Sequence, residues 1–474
     1  MKFSYAKNKN ILLIVFTLSV MVYFFVWSIL KPYNYGPDEY VRFPAYYYIF
    51  INNRLPSGWE ESIRNPIWGF SYAFYLTWLP GLLSVFFMKM VSIFTHSPLP
   101  LLIAARFPSV IAGSAIVFLT FKILDLIIED EKVKWFVLLL FTFVPQLAFL
   151  SSYVNNDIFA VCGSMLIVYS WILIDKKELN IKPFIILSAG IVIVALSYYN
   201  SYGWILFSFV YLVIVLANRK EERKKILVYS LIVLGIVLLF TGFFVIRNIA
   251  LYKTDIFGLK SLENSSEMYA IEELKPSLRN TLKNQGLPLI SLVNDRDFIF
   301  STERSFLAAF GYTDILAPGI VYKIYRYVFL IGTVGFVGYA IKRLIKKESK
   351  NGNDKIPTSD YKKEIPAYIF LLLFAACLCV SFLFLYYSWG TDYEPQGRYV
   401  FPIIPALVVI DGIGFNFVLA EEKISKAIRI TVISVLTLLI FATSVYCFVF
   451  VYIPSEFALA SNDNLIALTE IFTQ

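Results

Sequence analysis

Two adjacent carboxylates follow the first long apolar run of the chain, in the sequence Gly36-Pro37-Asp38-Glu39. A carboxylate at the lip of a membrane cavity can act as a general base or face a metal ion. Asp38 also precedes an aromatic segment, 40–53, where it could instead cap a helix by accepting unpaired backbone N–H groups. Both interpretations stay open, and Asp38 and Glu39 are the first candidate catalytic residues.

A second acidic site is predicted at Asn155-Asn156-Asp157, at the outer end of the fourth predicted span. A helix cap explains this site as well as a catalytic role does. The topology derived below places Asp157 on the same membrane face as Asp38. Two acidic sites that converge on one outer cavity are more informative than either alone, so Asp157 is a third candidate.

Arginines on this face are candidates to hold a phosphate group, because a planar guanidinium offers two parallel N–H donors to phosphate oxygens. Snorkelling to lipid headgroups is the alternative for each of them. Arg106 lies inside a predicted span near its outer end, where an ionisable side chain is a functional candidate by default. The predicted phosphate-binding residues are Arg64, Arg247, Arg304 and Arg398.

Ligands for a transition metal are scarce in the sequence. There is one histidine, His96, and all four cysteines lie in apolar segments. This disfavours disulfides and a zinc site built from Cys and His, and His96 is expected to be structural or solvated. No cofactor is predicted, although Asp38 and Glu39 leave a divalent metal ion open.

Membrane-spanning helices must position these residues. Hydrophobic residues make up 58% of the chain and charged residues 16%, against about 25% charged residues in soluble proteins. Apolar runs of roughly 17–25 residues recur along the whole length, each enough to cross a hydrocarbon core about 30 Å thick. The expected fold class is an all-α polytopic membrane protein with about eleven transmembrane helices. The predicted spans are 11–30, 101–124, 135–152, 155–174, 183–198, 203–218, 226–247, 319–341, 366–388, 400–419 and 429–452.

Short basic clusters between the apolar runs set the orientation by the positive-inside rule. They place the N-terminus in the cytoplasm and the candidate residues on the extracytoplasmic face of the plasma (inner) membrane. The run 68–95 would reverse the orientation of every later loop if it spanned, and Pro80-Gly81 interrupts it. It is therefore predicted to form interfacial or re-entrant helices within a long first outer loop, 31–100.

The predicted organisation has three parts: a catalytic module of seven spans at 1–247, an extracytoplasmic segment at 248–318 and a C-terminal module of four spans at 319–474. The sequence contains no P-loop or Rossmann fingerprint, and no nucleic-acid partner is expected. A transporter or flippase of lipid-linked saccharides is the main alternative, but it would place charges near the bilayer midplane, whereas here they gather at the outer rim. A non-catalytic component of polysaccharide assembly would need no converging acidic and basic residues.

Short polar motifs stand at the outer ends of the predicted spans. In order they are Gly36-Pro37-Asp38-Glu39, Asn53-Arg54-Leu55-Pro56, Arg64-Asn65-Pro66, Ala105-Arg106-Phe107-Pro108-Ser109, Asn155-Asn156-Asp157, Arg247-Asn248, Glu303-Arg304-Ser305-Phe306 and Gln396-Gly397-Arg398-Tyr399-Val400-Phe401-Pro402. This order resembles the GT-C superfamily of polytopic glycosyltransferases, which use a polyprenyl-phosphate sugar as donor. The resemblance covers nearly the whole chain. Within this superfamily, the sequence is similar to the branches of the protein mannosyltransferases and the lipid A aminoarabinose transferases.

The resemblance implies an inverting sugar transfer on the outer membrane face, with Asp38 as the base that deprotonates the acceptor hydroxyl. Glu39 would support Asp38 or bind the acceptor, and Asp157 would be a second acidic residue at the cavity. Arg64 and Arg398 would hold the donor phosphate. The implied partners are a lipid-linked sugar donor, membrane lipids and a glycan, glycolipid or protein acceptor.

The chain departs from the superfamily pattern where relatives carry a cation. Many relatives have His three positions after the Glu, where this chain has Arg42. They often have Lys in the stretch that is Ser-Tyr-Tyr-Asn here, at 197–200, and one branch has Glu-Lys-Pro where residues 64–66 are Arg-Asn-Pro. Two expected cationic contacts to phosphate are therefore missing or moved.

Overall fold

The computed structural model describes residues 2–176, 179–349, 364–420, 424–455 and 468–472. Its helices are α1 (Lys2–Leu30), α2 (Glu39–Asn52), α3 (Leu79–Ser92), α4 (Pro98–Ile127), α5 (Glu131–Thr142), α6 (Pro145–Leu150), α7 (Asp157–Lys176), α8 (Ile181–Ala195), α9 (Tyr202–Asn218), α10 (Arg223–Tyr252), α11 (Leu259–Tyr269), α12 (Ile290–Asn294), α13 (Arg296–Leu307), α14 (Gly319–Ser349), α15 (Ala367–Gly390), α16 (Ile404–Val418) and α17 (Lys426–Tyr446). The strands β1 (Ala309–Phe310) and β2 (Ile315–Leu316) pair antiparallel. Short 3₁₀ helices lie at Glu61–Ile63, Tyr72–Phe74, Tyr199–Ser201, Lys220–Glu222, Glu272–Leu274 and Gly397–Ile403, and a π-helical turn follows α17 at Cys447–Tyr452.

Nine helices in these described ranges are long and apolar enough to cross a membrane. The prediction of an all-α polytopic membrane protein is therefore confirmed. Two predicted spans differ from the structure. The span at 135–152 is divided into α5 and α6 just before Pro145, which has no N–H to continue a helix, and 183–198 corresponds to the 15-residue α8. The larger number of spans expected from the sequence stays a prediction.

The apolar run 68–95 is not one helix. It passes from an irregular segment with a 3₁₀ turn into α3, which begins at Leu79 with Pro80 in its first turn. Proline is favoured there because the first N–H groups of a helix have no partner within it. The predicted interruption at Pro80-Gly81 thus marks the start of a helix that packs along α4. The location of α3 at the membrane surface stays a prediction.

Three helices form the centre of the bundle. Within its apolar window, α7 is 89% buried, the segment that contains α16 is 72% buried and α4 is 67% buried, whereas α10 is only 11% buried. Helices at the edge therefore turn apolar side chains outward, as a surface against lipid tails requires. The central helices come from both predicted modules and share one hydrophobic core. The division of the chain at 247 and 319 stays a prediction.

The two long segments predicted to be extracytoplasmic pack against each other. The hydroxyls of Ser265 and Ser266 on α11 each donate a hydrogen bond at 2.8 Å, to the carbonyls of Gly69 and Trp68. A Cβ on Gly69, whose φ is +70°, would lie 2.2 Å from the backbone nitrogen of Ala270. Only glycine permits this close approach. The second predicted outer segment therefore packs directly on the first.

Candidate functional site

Asp38 lies in the turn between α1 and α2 with a left-handed backbone (φ 65°, ψ −1°), and its side chain makes no capping hydrogen bond to α2. The helix-cap interpretation is therefore wrong for Asp38. Its Oδ2 accepts a hydrogen bond from Arg398 Nη1 at 2.7 Å, and its Oδ1 accepts one from the Tyr72 hydroxyl at 3.2 Å. Gly36 lets the turn pass close to the segment between α6 and α7, because a Cβ there would lie 2.4 Å from the ring of Tyr153.

Arg398 is the centre of the site and is only 4% exposed. Its Nη1 bonds Asp38 and also lies 3.6 Å from Asp157 Oδ2. Its Nε donates to Gln396 Oε1 at 2.7 Å, and its Nη2 donates to the Tyr399 hydroxyl at 3.2 Å. The structure thus brings together the two acidic residues and the arginine that the sequence assigned to one cavity.

The backbone around Arg398 is held from two sides. A Cβ on Gly397 would lie 2.1 Å from the backbone nitrogen of Phe306, so the close contact with α13 requires glycine. On the other side, Asn200 Nδ2 donates a hydrogen bond to the Tyr399 carbonyl. Asn200 therefore supports the chain beside Arg398, in the stretch where the resemblance implied a lysine.

Asp157 begins α7 and is 1% exposed. Among the described residues, neither of its carboxylate oxygens has a hydrogen-bond partner. The cap of α7 is provided instead by Asn155, whose Oδ1 accepts from Ile158 N at 3.0 Å. A buried carboxylate without hydrogen bonds is costly. The nearby guanidinium of Arg398 offsets part of that cost.

Arg42 is a site residue that the sequence argument did not select. Its guanidinium stacks 4.1 Å from the centroid of the Tyr72 ring, and its Nη2 lies 4.0 Å from Asp38 Oδ2. It is 5% exposed. Arg42 follows Asp38 by four positions, the spacing at which opposite charges meet on a helix. That spacing is the sequence signal that could have found it.

The charges around Asp38 keep its carboxylate ionised. Burial raises the pKa of Asp38, but the charges of Arg398 and Arg42 and the hydrogen bonds from Arg398 and Tyr72 outweigh burial and hold the pKa below its usual value. The pKa of the Tyr72 hydroxyl is well above its usual value, because this group is buried beside the charge of Asp38. At neutral pH the site therefore holds a carboxylate acceptor next to a neutral phenol donor.

Glu39 pairs with Arg106 and not with Arg398. Arg106 Nε donates to Glu39 Oε1 at 2.8 Å and Nη2 donates to Oε2 at 2.6 Å, and both side chains are 0% exposed. Arg106 also donates to three backbone carbonyls at the end of α1, at 2.6 to 3.0 Å. This arrangement ties the Asp38 turn to α1 and α4. Both carboxylate oxygens of Glu39 thus face Arg106, and its role at the site stays a prediction.

Three arginines expected to bind phosphate have other partners. Arg64 stacks on the aromatic residue that ends α11, 3.6 Å from the ring centroid. Arg247 donates to a backbone carbonyl of the first outer loop. Arg304 is exposed on α13 and stands over an aromatic ring of α14. Their contacts join the predicted outer segments and neighbouring helices, and none of these contacts is with Asp38.

One protein family matches most of the chain. The family described as "Predicted membrane protein (DUF2142)" matches residues 64–407. The chain belongs to this family. The matched range contains Asp157 and Arg398 and begins after Asp38. No curated protein matches the chain.

Two solved GT-C glycosyltransferases share the fold of this DUF2142 protein. ArnT from Cupriavidus metallidurans, solved bound to undecaprenyl phosphate, is 12% identical with a TM-score of 0.52, and the match covers 91% of this chain and 63% of ArnT. The archaeal oligosaccharyltransferase AglB from Archaeoglobus fulgidus, solved with an inhibitory peptide and a dolichol-phosphate, is 12% identical with a TM-score of 0.51, covering 91% of this chain and 55% of AglB. The predicted GT-C fold is therefore confirmed. The chain spans less than two thirds of the length of either neighbour.

The candidate site of this DUF2142 protein has few side chains that could coordinate a metal ion. The described ranges contain no group of three or more His, Cys, Asp or Glu side chains arranged to hold one. The oxygens of Glu39 are engaged by Arg106, while Asp38 and Asp157 share the cation of Arg398. A guanidinium between two carboxylates occupies the position that a divalent cation would need. The metal ion left open by the sequence stays a hypothesis.

The protonation state of Glu394 is linked to the cluster around Arg398. Burial raises the pKa of Glu394 to about 8, opposed by the charge of Arg398 and reinforced by the charges of Asp392 and Asp38. Glu394 accepts a hydrogen bond from the amide of Gln396, whose oxygen accepts from Arg398 Nε. The protonation of Glu394 is thus linked through one amide to the guanidinium that bonds Asp38.

We expect the contribution of Glu394 to stability to fall as the pH rises from about 4.5 to about 8, and to level off above that. A carboxyl group whose pKa is raised by folding, as that of Glu394 is to about 8, binds its proton more tightly in the folded state. Its stabilising contribution is complete at low pH and is lost as the pH rises through the folded-state pKa. Thermal unfolding in detergent between pH 5 and pH 9 measures the slope. Glu394→Gln should flatten it, while Glu263→Gln, at an exposed position of α11, should not; a wild-type slope in Glu394→Gln would contradict the assignment.

Glu39→Gln should cost about 3–5 kcal/mol of stability, because it leaves the buried charge of Arg106 without a counter-charge. The double variant Glu39→Gln/Arg106→Gln should cost less than the two single changes together, which marks a direct interaction. Glu303, paired with Arg326 at 2.6 Å with both side chains partly exposed, is the matched control. Glu303→Gln should cost at most about 1 kcal/mol. Denaturant unfolding in micelles measures these values, and strictly additive losses at Glu39 and Arg106 would refute the pairing.

Proposed function

We propose that this protein is a glycosyltransferase that moves a sugar from a polyprenyl-phosphate donor to an acceptor on the extracytoplasmic side of the membrane, with inversion at the anomeric carbon. The observation that supports this most directly is the buried cluster in which Arg398 joins the carboxylates of Asp38 and Asp157. The GT-C fold, and two neighbours solved with undecaprenyl phosphate and dolichol-phosphate, support the class of donor.

Asp38 is the general base in this proposal. It takes the proton of the acceptor hydroxyl as that oxygen forms a bond to the anomeric carbon, and the bond from this carbon to the phosphate oxygen breaks on the opposite face. The bonding electrons leave with the phosphate. General-base catalysis of this kind contributes about 10²–10⁴ in rate. The lowered pKa of Asp38 ensures that the side chain is ready to accept a proton at neutral pH.

Arg398 and Arg42 supply positive charge for the departing phosphate. In the structure Arg398 Nη1 is bonded to Asp38, so a donor phosphate that engages Arg398 competes with this carboxylate. Asp38 then loses its nearest counter-charge, which raises its pKa and makes it a stronger base. Asp38 therefore becomes a stronger base only after the donor has bound and its leaving group is in place.

Two buried polar groups are available to the reacting sugar or the acceptor. The described residues provide no hydrogen-bond partner for either carboxylate oxygen of Asp157 or for the hydroxyl of Tyr153. Both side chains are nearly inaccessible, at 1% and 0%. Unsatisfied groups of this kind favour a ligand that carries hydroxyls over an apolar one.

A transporter remains the alternative because Asp411 lies in the interior of the candidate span Gly397–Val418. Asp411 of α16 is 0% exposed. It lies where α14 and α16 are in close contact, since a Cβ on Gly332 would be 2.5 Å from Asp411 Oδ1. Such tight packing leaves no room for a saccharide, and the clustering of Asp38, Asp157 and Arg398 supports chemistry instead.

Release of free polyprenyl phosphate tests the proposed reaction. The full-length protein in lipid nanodiscs is supplied with undecaprenyl-phosphate-linked sugars and a membrane extract as the source of acceptors. Mass spectrometry should show sugar-dependent formation of free undecaprenyl phosphate. A transporter would leave the sugar–phosphate bond intact, so an unchanged donor pool under these conditions would refute the glycosyltransferase assignment.

A further inference from the structure

We infer that a groove between α5 and α17 binds one acyl chain of an anionic glycerophospholipid, at the end of the bundle opposite to Asp38. The groove has a volume of about 320 Å³. Ligand pockets range over about 300–1,000 Å³, so it suits a segment of a single chain and not a protein element. It is lined by Glu131, Lys132, Trp135, Phe136 and Leu139 of α5 and by Ile430, Ile433, Ser434 and Thr437 of α17.

The two ends of α1 show where the groove lies relative to Asp38. Lys9, near the start of α1, bonds Glu131 at the mouth of the groove at 2.7 Å, whereas Asp38 follows the other end of the same helix. The positive-inside rule predicts that this mouth faces the cytoplasm. Anionic lipids and juxtamembrane lysines attract each other at that surface. The groove is therefore separate from the proposed reaction site.

The floor of the groove is apolar and fixed. Phe136 packs edge-on against Phe415, with ring centroids 4.9 Å apart. Trp135 contacts the rings of Phe16 and Phe121, at 5.7 Å and 5.0 Å. From its first lining residue to its last, α5 rises about 12 Å, which matches the first part of an acyl chain below a headgroup. An indole near the mouth also suits the membrane–water interface.

The mouth of the groove favours a negative headgroup. Asp130, directly before α5, pairs with Arg429 in the first turn of α17, so the two helices begin side by side. The N-termini of both helices therefore meet at the mouth, where the positive ends of their dipoles favour an anion. The exposed side chains of Lys132, on α5, and Lys426, one turn before Ile430, add positive charge at the mouth.

Two acidic groups beside the groove, Glu131 and Asp130, are already engaged. Glu131 pairs with Lys9 at 2.7 Å and with Lys134 at 2.8 Å. Asp130 pairs with Arg429 and also caps α5 by accepting from backbone N–H groups. These pairs neutralise the charges of Glu131 and Asp130, and Glu129 is an exposed carboxylate directly before them. A phosphate at the mouth therefore relies on the exposed lysines and the two helix N-termini for its attraction.

Native mass spectrometry of the full-length protein with equal amounts of phosphatidylglycerol and phosphatidylcholine tests this inference. We expect wild-type protein to retain phosphatidylglycerol in preference. Ser434→Trp fills the groove and should reduce retention about tenfold, since each buried methylene contributes about 0.8 kcal/mol. Val435→Trp, at a neighbouring position outside the lining that is 56% exposed, should retain the lipid.

A second pair of variants separates the headgroup from the chain. Lys132→Ala should reduce the preference for phosphatidylglycerol severalfold, whereas Lys224→Ala, at an exposed position of α10, should leave it unchanged. Lys132 is at the surface, so this comparison stands even where Ser434→Trp does not fold. Equal retention of both lipids by wild-type protein, or undiminished retention by Ser434→Trp, would overturn the inference. Loss of a dimer in Ser434→Trp without loss of lipid would assign the groove to a second copy of the chain and would also overturn it.

Discussion

Asp38→Asn should lower the rate of sugar transfer by about 10²–10⁴-fold while leaving the protein folded. Asparagine tolerates the left-handed backbone that Asp38 adopts, with φ 65°. It has nearly the same shape, and its amide oxygen can still accept a hydrogen bond from Arg398. It lacks the negative charge and the basicity that proton removal requires. Release of free undecaprenyl phosphate measures the rate, and the elution profile and thermal midpoint verify the fold.

Asp295→Asn is the matched control for this experiment. Asp295 lies in the second predicted outer segment and caps α13 by accepting two backbone N–H groups, a role that asparagine fulfils equally well. Its transfer rate should equal that of wild type. In the free protein the pKa of Asp38 is held below its usual value, so kcat/KM, which reports the free protein, should fall by the same factor in Asp38→Asn at pH 5 and at pH 8. A wild-type rate in folded Asp38→Asn would exclude Asp38 as the base.

Local sequence patterns predict which face of the membrane carries the site. Apolar runs and basic clusters assign each loop to one side, and this placed Asp38, Asp157 and Arg398 on a common surface. The structure brings these three within ion-pair distance. Topology specifies a face but not a lateral position, because that depends on how helices pack. Arg64 and Arg304 meet the same criterion, and they contact other elements.

Besides lateral position, the direction in which each side chain points could not be predicted from the sequence. Asp38 and Glu39 are neighbours, but consecutive residues at a helix start do not face each other. One therefore reaches Arg398 and the other reaches Arg106. Arg42 illustrates the same limit, because its position in the sequence does not reveal that its guanidinium stacks on a tyrosine of the same outer loop.

Arg398→Lys should weaken the binding of undecaprenyl phosphate by roughly 10²-fold. The guanidinium keeps Asp38, Gln396 and Tyr399 in place at the same time. A single ammonium group cannot hold this arrangement and also present two parallel donors to a phosphate. Charge-assisted hydrogen bonds contribute about 1.5–3 kcal/mol each, so the loss of two corresponds to at least about 3 kcal/mol. Native mass spectrometric titration of the purified full-length protein with undecaprenyl phosphate measures the affinity.

Arg54→Lys is the control for charge-preserving substitution, since Arg54 is exposed and its guanidinium donates to the hydroxyl of Tyr48. Its affinity for undecaprenyl phosphate should equal that of wild type. Arg64→Lys distinguishes two locations for the phosphate. Loss of affinity in Arg64→Lys together with wild-type affinity in Arg398→Lys would place the phosphate between the outer segments and would contradict the proposed role of Arg398. Loss in Arg398→Lys alone would place leaving group and base in one cluster. Displacement of Asp38 from Arg398 by the donor would then couple donor binding to activation of the acceptor.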